Sequence, residues 1–106
     1  MVHTMNDEEL LKELLVYSLE DIPSMLSRLK DLHNREGTDS KMAELAHKIK
    51  GSAGAVSGEK LYHASFELEV MSNEGRKKEV KNQIEQVEKA FNEFSRDAEV
   101  MALTAT

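Results

Sequence analysis

The segment from about Arg76 to Glu99 places Val80, Ile84, Val87, Phe91, Phe94 and Ala98 at steps that alternate between four and three residues. An α-helix turns once in about 3.6 residues, so this alternation keeps all of these side chains on one face. A face that regular is the seam of a helix bundle. It does not fit a strand, whose side chains change sides with a period of two. A long helix with one apolar seam needs partners, and the rest of the chain supplies candidates.

Four further helical segments can be drawn. The first runs from about Asp7 to Leu19, with Asn6 as its N-cap, Glu9 completing a capping box, and Leu10, Leu11, Leu14 and Leu15 as its stripe. The second runs from about Ile22 to Asn34. Asp21 suits its cap, and Pro23 fits a first turn, where the missing N–H is no loss. Gly37 then breaks the pattern. The third runs from about Ser40 to Ser57 and buries Met42, Leu45, Ala46, Ile49, Ala53 and Val56, with Gly58 as its stop. The fourth runs from about Glu59 to Asn73 with Leu61, Ala64, Leu68 and Met71 inward, and Gly75 ends it. The tail from Val100 to Thr106 is expected to fray. Short connections make the last four segments antiparallel neighbours. The expected fold is therefore all-α, an antiparallel four-helix bundle with a short additional N-terminal helix. It forms one domain over residues 1–106, with a helical core of about 6–98.

Composition narrows the function. The 106 residues carry a net charge of −6, so a broad nucleic-acid surface is not expected. There is no cysteine, which excludes disulfides, thiolate catalysis and cysteine metal sites. No apolar run reaches the length of a membrane span, and Met1 to Met5 lack the features of a secretion signal. The expectation is a soluble, cytoplasmic, monomeric module without membrane insertion, either standing alone or cut from a larger protein.

The chemistry-bearing residue is His47. With the buried face of its helix as reference, it lies roughly 140–150° around the axis and points outward. Ala43, Gly51 and Gly54 project from nearly the same side. Side chains lean toward a helix N-terminus, so residue 51 leans over the turn that holds His47. Gly51 leaves that space open. Two glycines inside a helix each cost about 0.5–1 kcal/mol relative to alanine, so helix stability alone does not explain them. Close approach by another surface does. Lys50 lies within neighbour distance of His47 and suits a phosphorylated imidazole, whereas Lys48 is displaced around the helix. Glu44 on the same helix, or Glu69 on the next, could accept a hydrogen bond from one ring nitrogen and leave the other as nucleophile. His3, His33 and His63 read as incidental. No convergent set of metal ligands is apparent, and there is no Walker motif or kinase signature.

The run Ala46-His47-Lys48-Ile49-Lys50-Gly51-Ser52-Ala53, followed by Val56, Leu61 and Leu68-Glu69, resembles the signature of the histidine phosphotransfer (HPt) domains of bacterial phosphorelays. The likeness extends upstream through Leu15-Val16-Tyr17 and Asp21-Ile22-Pro23 and covers roughly Asn6 to Phe94. It implies that His47 takes a phosphoryl group from a receiver-domain aspartate and passes it to another receiver. Those receivers would belong to response regulators or a hybrid sensor kinase. It matches the family's lysine to Lys50 and its glycine to Gly51. It also implies no cofactor here, because the magnesium sits in the receiver. One departure is Ser57, where the family often has glycine directly after the position of Val56; with Gly58 following, the helix end is expected to shift by a residue.

Two other functions use the same chain differently. A non-catalytic helical adaptor would bind a partner through the fourth helix, where Tyr62, Phe66 and Val70 form a second apolar stripe. That stripe reads mainly as packing, with a receiver-docking patch as its functional alternative. The phosphoacceptor domain of a chemotaxis-type histidine kinase would share His47 but take phosphate from a separate ATP-binding domain.

Overall fold

The computed structural model describes residues 7–56 and 58–104. It contains four helices: α1 (Asp7–His33), α2 (Asp39–Ala55), α3 (Glu59–Asn73) and α4 (Lys77–Thr104). Each packs on its neighbours in sequence, and α1 also packs on α4, closing the ring of an up-and-down bundle. The closure is visible at one end, where His33 Nε2 lies 3.2 Å from the Lys77 carbonyl, and along the sides, where Lys30 pairs with Glu88.

The expected short N-terminal helix is not separate. One helix runs through Pro23, which sits in its interior and is exposed. The reason is packing. Ser18, Ile22, Met25, Leu29 and Leu32 are all buried and follow steps of four, three, four and three across the proline. That seam holds both halves in one phase against α2 and α4, while the lost backbone hydrogen bond faces water. Ser18 hides the continuity from a search for apolar letters. The proposed cap at Asn6 lies outside the described residues.

The α1–α2 connection turns at Gly37, whose φ of 72° is the left-handed conformation glycine adopts freely. The single hydroxyl hydrogen of Thr38 is shared between the Leu32 carbonyl, 2.7 Å from Oγ1, and the Arg35 carbonyl, 3.0 Å away, capping the exit of α1 rather than the entry of α2. At the end of α3, Gly75 has φ of 68°. Arg76 N–H reaches back to Met71 O and Gly75 N–H to Ser72 O, the paired bonds of a Schellman ending. α2 ends at Ala55, two residues before the expected Ser57, with Val56 as its C-cap. Ser57 itself lies outside the described residues. α4 continues to Thr104 instead of ending near Glu99.

The core is built around Ile22, Leu29, Met42, Ile49, Leu68 and Val87, each essentially inaccessible. Burying one such side chain contributes about 1.5–3 kcal/mol. On α3 the buried set is Leu61, Ser65, Leu68 and Ser72; Ala64 and Met71, expected inward, are only partly covered. Serines occupy two seam positions because they are small. The buried side of α2 likewise includes two small residues, Ala46 and Ala53. The first half of α1 is less enclosed than its leucines suggest, since Leu10, Val16 and Tyr17 are exposed.

Candidate functional site

His47 stands on the outer side of α2 with 66 % of its side chain exposed. The neighbours at 46 and 49 are fully buried, so the helix cannot rotate to hide the ring without exposing its core face. Residues 47, 50 and 54 on α2 lie opposite 69, 66 and 62 on α3. The turn near Gly58 is the midpoint of each pair, as two antiparallel helices folded about one turn require.

Three of those facing residues contact the ring or its neighbours. Glu69 Oε2 lies 3.0 Å from His47 Nδ1. Its other oxygen, Oε1, accepts from Lys50 Nζ at 2.8 Å. The Lys50 ammonium in turn sits 5.0 Å from the centroid of the Phe66 ring. Glu69 is thus shared between a lysine and the histidine. The hydrogen bond from Lys50 is the main cause that holds its carboxyl below the usual 4.5; partial burial opposes this, and His47 adds a smaller lowering effect. A carboxylate that stays charged is an acceptor only, so Nδ1 carries the proton and donates it to Glu69. The outward nitrogen, Nε2, then keeps its lone pair.

The other sequence candidates fall into two groups. Gly51 is open, since a Cβ built there would meet nothing within 4 Å. Gly54 is exposed, but the Tyr62 ring flanks it 3.5 Å from where a Cβ would stand. Lys48 is exposed and pairs with Glu44 at 3.7 Å along the same helix. Glu44 therefore faces Lys48, and the carboxylate at His47 comes from α3. Ala43 departs from expectation. It is buried, because at four residues before His47 it lies on the margin that α3 covers, and it offers no surface to a partner. His63 is exposed, as expected, with its ring edge-on to Tyr62. His33 is half-buried and contacts the start of α4, far along the sequence from the site.

A family model, the Hpt domain, matches residues 13–100. The chain belongs to the Hpt domain family. No curated protein and no solved structure matches it. Hpt domains act in histidine-based phosphorelays and interact with receiver domains, which gives the exposed imidazole of this Hpt domain its chemical context. Among the described residues, no cluster of three or more histidine, cysteine or acidic side chains could hold a metal, and no helix is long and apolar enough to cross a membrane.

Phe66 is the site residue that sequence reasoning assigned mainly to packing. It is exposed, and its partner is a lysine. The signal was present. Folding α3 back on α2 about Gly58 sets position 66 against position 50, and an aromatic opposite a lysine beside a glutamate is a recognisable cation cradle.

Proposed function

We propose that this chain is a phosphorelay intermediate in two-component signal transduction. His47 accepts a phosphoryl group from the aspartyl phosphate of one receiver domain and passes it to the aspartate of another. The observation that carries this reading is an exposed imidazole whose inner nitrogen is held by Glu69, with open space four residues on at Gly51, where a Cβ would meet nothing within 4 Å.

In the forward step the Nε2 lone pair attacks phosphorus, the bond from phosphorus to the aspartyl oxygen breaks, and the receiver carboxylate leaves with that electron pair. Nδ1 keeps its proton throughout. The phosphorylated ring then carries a formal positive charge, which the Glu69 carboxylate opposes at 3.0 Å. Lys50 stays beside that carboxylate and adds positive potential next to the incoming phosphoryl oxygens. Lys48 lies farther around the helix and adds only long-range charge. Transfer to the second receiver is the same step reversed. Magnesium belongs to the receiver, where it neutralises the phosphoryl oxygens. The sequence carries no Walker motif or kinase signature, so in this reading the phosphoryl group comes from a receiver and not from ATP. His47, Lys50 and Glu69 come from one chain, so a monomer suffices for the site.

The receiver must rest on the surface around the ring. Gly51 and Gly54 on α2, with Phe66 and Val70 exposed on α3, form a low apolar footing there. The test mixes the purified chain with a panel of radiolabelled phospho-receivers and, separately, with ATP. Rapid labelling by at least one receiver, none from ATP, and no labelling of His47→Gln are expected. Receiver-dependent labelling that persists in His47→Gln overturns the assignment.

A further inference from the structure

Lys50 is a poorly solvated lysine for a residue on an outer helix face. Only 18 % of its side chain is exposed, although a surface lysine ordinarily keeps its ammonium in water. Its position is defined from two sides. Glu69 Oε1 lies 2.8 Å from Nζ, and the face of Phe66 lies 5.0 Å from the same atom. Phe66 and Glu69 are three residues apart on α3, so they project as neighbours and make two walls of one slot. The aromatic face carries the negative end of the ring quadrupole and attracts a cation placed over it.

Resting on the reading of His47 as phosphoacceptor, we propose that Phe66 is a positioning residue: its ring holds the Lys50 ammonium on one oxygen of Glu69, which leaves the other oxygen fixed for His47 Nδ1. The carboxylate is planar and has two oxygens. With Oε1 tied to Lys50, rotation about its terminal bond is restrained, and Oε2 stays 3.0 Å from the imidazole. With Lys50 released, the carboxylate turns freely and the bond to Nδ1 is held for less of the time. Nε2 then carries the proton more often, and a protonated Nε2 cannot attack phosphorus.

The comparison is Phe66→Leu, which keeps an apolar side chain without the ring, against Phe66→Tyr, which keeps the ring. Lys50→Met supplies the end point with no ammonium. Phe66 is exposed, so neither of its substitutions disturbs the core. The readout is the pair of imidazole nitrogen signals of His47 by NMR in the full, unphosphorylated chain, together with the rate of labelling by phosphoramidate. That small donor needs no docking surface. Loss of an exposed cation–π contact changes a population ratio by about two- to five-fold. Phe66→Leu is therefore expected to move the His47 signals part of the way to those of Lys50→Met and to slow labelling in proportion, and Phe66→Tyr to restore both. Wild-type signals in Phe66→Leu, or the same defect in Phe66→Tyr, overturn the proposal. The ring signals are read without any receiver. If they move as stated while no receiver transfers phosphate, the relay reading fails and the role of Phe66 stands.

Discussion

Gly51 is where stability and function pull in opposite directions, and a substitution there separates them. The residue is helical, exposed and free of neighbours, since a Cβ would meet nothing within 4 Å. Gly51→Ala therefore adds a methyl group without a clash and removes backbone freedom from the unfolded chain. The gain is about 0.5–1 kcal/mol. Unfolding entropy of about 2.1 cal/mol/K per residue makes a domain of this length gain roughly 2–5 °C in Tm for that increment. Gly51→Gln keeps most of the gain, but its side chain leans over the turn holding His47 and crowds the surface a receiver must reach, while leaving Nε2 accessible to a small donor. In-line transfer needs the reacting atoms about 3–3.5 Å apart, and a misplacement of about 1 Å costs on the order of 100-fold. Thermal melting followed by circular dichroism measures the first effect. Quenched-flow transfer from a phospho-receiver measures the second, with phosphoramidate as the small-donor control. The expected pattern is a higher Tm for both variants and receiver transfer slowed about 10–100-fold in Gly51→Gln, with phosphoramidate labelling little changed. A lower Tm for Gly51→Ala, or unchanged receiver transfer in Gly51→Gln, refutes the reasoning.

Three further expectations follow from the same geometry. Glu69 has a carboxyl lowered below its usual 4.5, so the folded state binds its proton less readily than the unfolded chain does. Its stabilising contribution is complete above that usual value and is lost as pH falls through the lower, folded one. Glu69→Gln should accordingly lose less Tm than the wild type between pH 7 and the acid side of 4.5, and an equal loss in both proteins contradicts this. Pro23→Ala should raise stability by about 1–3 kcal/mol in urea unfolding, because it restores a helix hydrogen bond at an exposed position; a fall shows that the proline itself makes a needed contact. Ile49→Ala, at a fully buried position, should cost about 2–5 kcal/mol in the same assay, and a cost below about 1 kcal/mol means that the core around α2 is not packed as described.

The bundle was legible in the sequence wherever the core is made of large apolar residues. Val80, Ile84, Val87 and Phe91 are buried as their spacing requires, and so are Met42, Ile49 and Val56. It was misread where small or polar residues occupy the seam. Ser18 concealed the continuity of α1 through Pro23, and Ser65 and Ser72 shifted the inward face of α3 away from Ala64 and Met71. Hydrophobic patterning detects what is driven inward, not what is merely small enough to be there. The site divided along the same line. Relations within one helix, such as His47 to Lys50 and Gly51, follow from the angle per residue. The choice between Glu44 and Glu69, and the contact of Phe66 with Lys50, depend on how α2 and α3 face each other. That register becomes readable only when the turn at Gly58 is used as a fold point. Ala43 failed for a related reason, since its place on the helical wheel ignores the neighbouring helix that covers it.

The most direct measurement of the central claim is the bond formed on His47. The chain, labelled with 15N in its imidazoles, is phosphorylated by a phospho-receiver and the phosphorus–nitrogen coupling is read by NMR. Coupling to Nε2 of His47, with Nδ1 still protonated, is the expected result. Coupling to Nδ1, to another histidine, or phosphate carried on oxygen contradicts the account.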